Sequence, residues 1–270
     1  MSKINPQTRL DAQHEISRIS NFIRECVSES RASGVVVGMS GGIDSATSAS
    51  LATEAIGKNK VLALLLFEDN SRDSSDYRDA KTMISKLQLK SREVSISPLV
   101  ARFKNSLQKA GLRPSVLTLG NIKARCRMVL LYSFANQNNL LVLGTGDRSE
   151  EEIGYFTKFG DGAVDLQPIA HLYKSQVKQL AQKLGVPSYI IDKPSSPHLW
   201  KGQKATDEIP IDYPSLDKII SFLYDKSMKR SDVATKLGVP RSVVNNVVQL
   251  HEKSVHKREP PFSLVDSAHG

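Results

Sequence analysis

Short, continuously apolar runs alternate along much of the chain with longer stretches whose apolar residues recur every three or four positions. Val35–Val37, Val61–Phe67 and Leu140–Leu143 are runs of the first kind, the pattern of parallel strands buried on both faces, and Arg92–Ile96 makes a shorter strand. Leu10, Ile16, Ile19, Ile23 and Val27 mark an amphipathic helix over about residues 5–31. Helical spacing returns over Ile43–Ile56, Asp76–Leu89 (Ala80, Met83, Ile84 and Leu87 inward) and Pro98–Ala110. Val177, Leu180, Ala181 and Leu184 give one more inward stripe, stopped by Gly185-Val186-Pro187. With no repeat or low-complexity run, this alternation predicts an α/β fold, a doubly wound parallel sheet with helices on both faces and a helical C-terminal extension. The chain reads as one domain: an N-terminal helix in 1–33, a core over 34–190, a loop over 191–210 and a helical part over 211–270.

Composition changes this picture only slightly. The 270 residues are 40% hydrophobic and 24% charged, as in a soluble globular protein, and the net charge of +9 favours an anionic partner. Cys26 and Cys126 are the only cysteines, which fits a reducing cytoplasm and excludes a cysteine-rich zinc site. The N-terminus has no apolar signal region and no run approaches membrane-spanning length, so a cytoplasmic protein with no membrane partner is expected.

The chemistry starts at Gly34–Ser45, G-V-V-V-G-M-S-G-G-I-D-S. A buried strand runs into Gly38, Met39, Ser40, Gly41, Gly42, Ile43, Asp44 and Ser45 and then into a helix. The glycines let backbone amides approach an anion, and the helix N-terminus adds a favourable dipole. The Gly-Lys-Ser/Thr close of a Walker A loop is absent, as is G-x-G-x-x-G. Asp44 inside a phosphate loop would repel the ligand unless a cation stood between them, so it implies Mg²⁺. S-G-G-I-D-S resembles the pyrophosphate loop of the N-type ATP pyrophosphatases, which cleave ATP between the α and β phosphates and transfer AMP to an acceptor.

Later motifs narrow the resemblance. G-N-I-K-A-R-C-R-M, from Gly120, spreads Lys123, Arg125 and Arg127 around a helix, and alone reads as solvated charge. Thr145, after the strand at Leu140–Leu143, can hydrogen-bond adenine or ribose. Glu150 could complete a magnesium site with Asp44, although Glu151 and Glu152 are chemically equivalent choices. In Y-F-T-K-F-G-D-G-A-V-D, Lys158 and Asp165 suit a charged, hydroxyl-rich ligand. Arg72, in the polar stretch Glu68–Asp73, and His171 read better as a solvated charge and a structural group.

Together these strings resemble the ammonia-dependent NAD synthetases from Val35 to Pro260. The resemblance implies a Rossmann-like fold and the conversion of nicotinic acid adenine dinucleotide, ATP and ammonia to NAD, AMP and pyrophosphate. It selects Glu150 as the second metal ligand and places Lys174 on the ATP phosphates, so that Asp44 and Lys174 carry the catalysis. Arg125, Lys158, Asp165, His256 and Lys257 would hold the acceptor dinucleotide. Lys193-Pro194-Ser195-Ser196 and the segment through Glu208 resemble a loop over the active site, with Ser195 or Ser196 contacting ATP. The absence of an amidase domain makes free ammonia the expected nitrogen source, and the family implies a homodimer. A GMP synthetase-like or thiolating enzyme is the alternative within the pyrophosphatases. Outside them stands a DNA-binding nucleotide sensor, because Ser231–Glu252 has a helix-turn-helix outline around Gly238-Val239-Pro240. Val243, Val244, Val247, Val248 and Leu250 leave that segment few positions to read bases, so no nucleic-acid partner is expected.

Overall fold

The computed structural model describes residues 10–195, 200, 203, 208–209, 211–261 and 263. Four parallel strands, β1 (Gly34–Gly38), β2 (Val61–Phe67), β3 (Lys90–Ser95) and β4 (Leu140–Leu143), lie in the order β3-β2-β1-β4. Val35 stands opposite Val61 on one side and Leu141 on the other, and an isolated parallel bridge joins Leu143 to Leu166. The central β1 is almost wholly buried, whereas β3 holds an edge, which accounts for its polar sequence.

Alternation along the strands sorts the core into two layers. Val35, Val37, Ala63 and Leu65 pack with α1 (Ala12–Glu29), α2 (Ile43–Ile56), α3 (Ser75–Leu87) and α7 (Lys174–Lys183). Val36, Leu64, Leu66 and Val142 face the other way, against α4 (Ser97–Lys109) and α5 (Val116–Asn138). Helices therefore cover both faces, as the alternating pattern predicts.

Boundaries moved by a few residues. Gln88 takes a left-handed conformation that ends α3 at Leu87, so β3 starts at Lys90, ahead of the expected Arg92. Helix α5 starts at Val116, well before the motif at Gly120, because Ser115 caps it by accepting from Thr118 N. Helix α1 starts at Ala12 with Asp11 as its cap; residues 5–9 of the expected helix lie outside the described ones.

Beyond α6 (Arg148–Ile153), α7 and the short α8 (Ser188–Ile191), the C-terminal helices form a satellite core. They are α9 (Tyr213–Ile220, continued by a π turn to Asp225), α10 (Arg230–Leu237), α11 (Arg241–Lys253) and α12 (Val255–Arg258). Leu216, Ile219, Phe222, Val233, Val244 and Val247 are buried there with Ile153 of α6. The helix-turn-helix outline is real in shape, and its apolar face is consumed by packing against the body of the protein. Among the described residues no helix is long and apolar enough to cross a membrane.

Sheet order fixes where a ligand can sit. From β1 the chain crosses to β2 on one side and β4 lies on the other, so the loops after β1 and β4 open together at the switch point.

Candidate active site

The turn after β1 is held by its own side chains. Ser40 Oγ lies 3.0 Å from Ser45 Oγ, which donates to Gly42 O at 3.1 Å, while Gly42 N donates to Ser40 Oγ at 3.2 Å. Gly41 has φ +81°, and a Cβ there would lie 2.1 Å from the Asp76 carbonyl oxygen, so only glycine fits. Helix α2 starts at Ile43 with Gly42 at its cap and no side chain accepting from its first turn. Those amides and the dipole make an anion site.

Beside it lies a buried ion cluster. Lys174, the first residue of α7, is 1% exposed, and its Nζ is 2.8 Å from Asp44 Oδ2, 2.8 Å from Asp147 Oδ2 and 2.9 Å from Glu150 Oε1. Three elements converge here for local reasons. Asp147 caps α6, its Oδ1 accepting from Glu150 N at 2.9 Å, which places Glu150 in the first turn facing Lys174. Lys174 N donates to Ser149 Oγ at 2.9 Å, and Ser149 Oγ donates to Asp217 of α9 at 2.5 Å. Asp217 also accepts from Ser175 N at 2.9 Å, so α6, α7 and α9 are locked together. Tyr213 closes the far side, its ring 5.1 Å from Nζ and its hydroxyl 3.4 Å from Glu150 Oε1.

Burial pushes the Glu150 and Asp147 carboxyls above the usual carboxylate range, Lys174 pulls them back down, and mutual repulsion with Asp44 adds to the rise. The three carboxylates in turn outweigh desolvation at Lys174 and hold its ammonium charged well above the ordinary lysine value. With all three acids ionised, the cluster has more negative than positive charge. Asp44 Oδ1 is buried and accepts no hydrogen bond. A second cation fits that chemistry: a hard ion held by Asp44 and Glu150 and completed by phosphate oxygens. Among the described residues no group of three or more His, Cys, Asp or Glu is arranged to hold a metal unaided.

The other predicted residues fall into two groups. Thr145 is half-buried at the end of β4, on the ligand edge of the sheet. Ser195 is half-buried two residues beyond Lys193, and Ser196 lies outside the described residues. On the other side, Arg125 Nη2 donates to Lys158 O at 3.1 Å and Lys158 Nζ donates to His256 O. Lys257 Nζ donates to Gly154 O at 2.6 Å and Phe156 O at 2.8 Å, and burial lowers its pKa. Asp165 is engaged within the fold, accepting from Val142 N at 2.7 Å and from the Tyr132 hydroxyl at 3.1 Å. Arg125, Lys158, His256 and Lys257 are thus brought together around the 154–165 loop, with Asp165 at its β4 end. His171 pairs with Glu15 at 2.7 Å, and Arg72 is exposed over the Phe67 ring, so both have the structural surroundings expected of them.

Sequence reading missed several participants. Asp147 is the first of them: with the expected Glu150 it forms a D-x-x-E helix-start signature that marks the cap, although nothing in the pattern puts Lys174 against it. Asp217 and Tyr213 come from the C-terminal part with no motif of their own. Arg127 is half-buried, donating to Leu66 O at 3.0 Å, and Asn121 accepts from Thr157 Oγ1 at 2.8 Å. The motif on α5 is therefore a scaffold for the 154–165 loop as well as a set of charges.

The sequence and the fold have counterparts among known proteins. The model of the NAD synthase family matches residues 15–261. The chain belongs to the NAD synthase family. Among its relatives there, the NH(3)-dependent NAD(+) synthetase of Hyperthermus butylicus is 45% identical over 96% of this chain and 92% of its own length. That of Pyrococcus furiosus is 43% identical over 94% and 95%. Two solved structures share the fold. NMN synthetase from Francisella tularensis has TM-score 0.83 and 35% identity over 94% of this chain and 99% of its own. NH3-dependent NAD synthetase from Campylobacter jejuni has TM-score 0.80 and 29% identity over 95% and 100%.

Proposed function

We propose that this member of the NAD synthase family amidates nicotinic acid adenine dinucleotide with ammonia, converting ATP to AMP and pyrophosphate. The observation that carries the reading is the buried Lys174 cluster beside the open N-terminus of α2. A carboxylate is a poor electrophile, so its oxygen first attacks the α-phosphorus of ATP and pyrophosphate leaves. Ammonia then attacks the activated carbonyl carbon and AMP leaves with the oxygen. The loop from Gly38 to Ser45 would seat the phosphates on its amides, Lys174 would stabilise charge developing on the departing pyrophosphate, and Thr145 and Ser195 would position the nucleotide. Asp44 and Glu150 would hold Mg²⁺, which when bound neutralises phosphate charge. Arg125, Lys158, Asp165, His256 and Lys257 would hold the acceptor.

Leu99 and Phe103 of α4 and Val116, Leu117 and Val129 of α5 are exposed apolar side chains that suit a homodimer contact. The free cysteines fit a cytoplasmic enzyme, and the chain is read as one functional domain. The Francisella structure favours a second acceptor, the nicotinic acid mononucleotide; the curated relatives at 39–45% identity favour the dinucleotide. They also disfavour a GMP synthetase-like acceptor. The deciding assay is pyrophosphate release with Mg²⁺, ATP and ammonium, offering either nucleotide in parallel. Release with the dinucleotide, accompanied by NAD and reduced about 100- to 1,000-fold by Asp44→Ala, is expected. Release with the mononucleotide alone would move the assignment to the second acceptor.

A further inference from the structure

Lys193 stands just beyond α8, at the root of the 191–210 segment. Its ammonium is shared among three oxygens: Gly41 O at 3.1 Å, Asp76 Oδ1 at 2.9 Å and Asp79 Oδ2. Both acids belong to α3, and all three side chains are largely buried. No part of the reaction chemistry requires a cation here, yet this one reaches from the loop root to the main chain of the phosphate turn.

Gly41 is where that turn most needs holding. It is pressed against the Asp76 carbonyl, and the peptide joining it to Gly42 lies between two residues without Cβ, so a peptide flip meets little steric resistance. A flip would turn the Gly41 carbonyl oxygen away from Lys193 and pull the Gly42 N–H off Ser40 Oγ, undoing the fold of the turn at the start of α2. A carbonyl dipole presented to a triphosphate repels it, whereas an amide attracts it. An ammonium on Gly41 O opposes the flip, and two aspartates keep that ammonium in place and charged.

We infer that Lys193 is a positioning residue for nucleotide binding: clamped by Asp76 and Asp79, it holds the Gly41 carbonyl turned outward so that the loop amides face the phosphates. The inference rests on the proposed ATP reading. It differs from a role as a phosphate ligand in one consequence. A direct ligand would be freed by removing its aspartates, whereas a clamped positioner is loosened by the same change.

Calorimetric titration of Mg²⁺ and α,β-methylene-ATP into the whole protein separates the two. Lys193→Met should raise the Kd about tenfold, the scale of one charge-assisted hydrogen bond. Asp76→Asn with Asp79→Asn should raise it several-fold, and Lys193→Arg should recover most of the loss. Affinity for nicotinic acid adenine dinucleotide should be unchanged in all three, and in turnover KM for ATP should rise with kcat nearly constant. Unaltered ATP affinity in Lys193→Met overturns the inference. So does unaltered or tighter binding in the double aspartate variant, which still tests it should Lys193→Met fail to fold. A wild-type protein that binds no ATP analogue would sink the proposed function, and the positioning role with it.

Discussion

Cations at the two ends of the candidate site have opposite kinds of partner. At one end Lys174 is surrounded by carboxylates, Asp44, Asp147 and Glu150, within 3 Å. At the other, cations hold main-chain oxygens: Arg125 on Lys158 O, Lys158 on His256 O, Lys257 on Gly154 O and Phe156 O. Arg258 does the same for Glu151 O, Glu152 O and His251 O. A carboxylate cancels a cation's charge, while a carbonyl accepts its hydrogen bonds and leaves the charge standing. The first end is therefore net negative and suited to a cation with phosphates. At the second, with Asp161 as the charged neighbour of Lys257, the cations fix the shape of the loop, and those not cancelled by a carboxylate would meet an anionic acceptor under the proposed function. Function at the first end depends on charge count, and at the second on charge and shape together.

The sharpest way to break this contrast is Lys174→Met. Removing the ammonium leaves the fully buried Asp147 and the half-buried Asp44 and Glu150 uncompensated, which should destabilise the fold by roughly 3–5 kcal/mol and abolish pyrophosphate release. Lys174→Arg should not restore turnover, since the site is closely surrounded and built for one ammonium. Thermal unfolding and pyrophosphate release measured on the same samples test both. A Lys174→Met protein that turns over near the wild-type rate would show that the cluster is merely structural.

A smaller effect is expected at the carbonyl-holding end. Gly154 approaches the Ser254 side chain so closely that a Cβ would lie 2.1 Å from Ser254 Cβ, and Lys257 and Arg258 complete that seam. Lys257→Met should raise KM for the acceptor about tenfold through lost charge and a loosened loop, leaving the Kd for an ATP analogue unchanged. Steady-state kinetics with each substrate varied in turn distinguishes this from a Lys174-like loss. Equal damage to both substrates would mean that the two ends do not work independently.

Much of this could be read in the chain before any coordinates, for physical reasons that differ by region. Strands β1, β2 and β4 announced themselves because burial on both faces demands unbroken apolar runs, and the glycine turn because only glycine tolerates the Gly41 conformation. Edge strand β3 was displaced by two residues, since half-exposed strands carry a weaker pattern and Gln88 ended the preceding helix early. Asp44, Glu150 and Lys174 were found through motif resemblance, yet their meeting at one ammonium was invisible. Local pattern does not encode which distant elements touch. Asp217 and Tyr213 escaped for the same reason: their role arises from α9 docking against α6 and α7. The motif around Lys257 marks it as a ligand contact, and the structure adds that its ammonium already holds Gly154 O and Phe156 O, so any substrate contact is made from a tethered side chain.

A pair on the α1 side of Lys174 inverts the arrangement, with a carboxylate as the buried partner. Glu15 of α1 is mostly buried and accepts from Arg18 Nη2 at 2.7 Å and pairs with His171 at 2.7 Å, both of which are largely exposed. Burial raises its pKa, but the hydrogen bonds and charges of Arg18 and His171 outweigh this and hold it below the usual carboxylate range. Because the folded value is depressed, the stabilisation is present above the unfolded value near 4.3 and is lost as pH falls through the folded one. Solvent screening of the two exposed partners limits it to roughly 0.5–1 kcal/mol, or about 1–4 °C in Tm for a chain of this size. Glu15→Gln should accordingly melt a few degrees below wild type at pH 7, with the gap narrowing as pH drops below about 4. Its kcat and its KM values for ATP and for the acceptor should match wild type. A gap that widens in acid would reverse the assigned sign, and altered kinetics would extend the catalytic machinery to the α1–α7 seam.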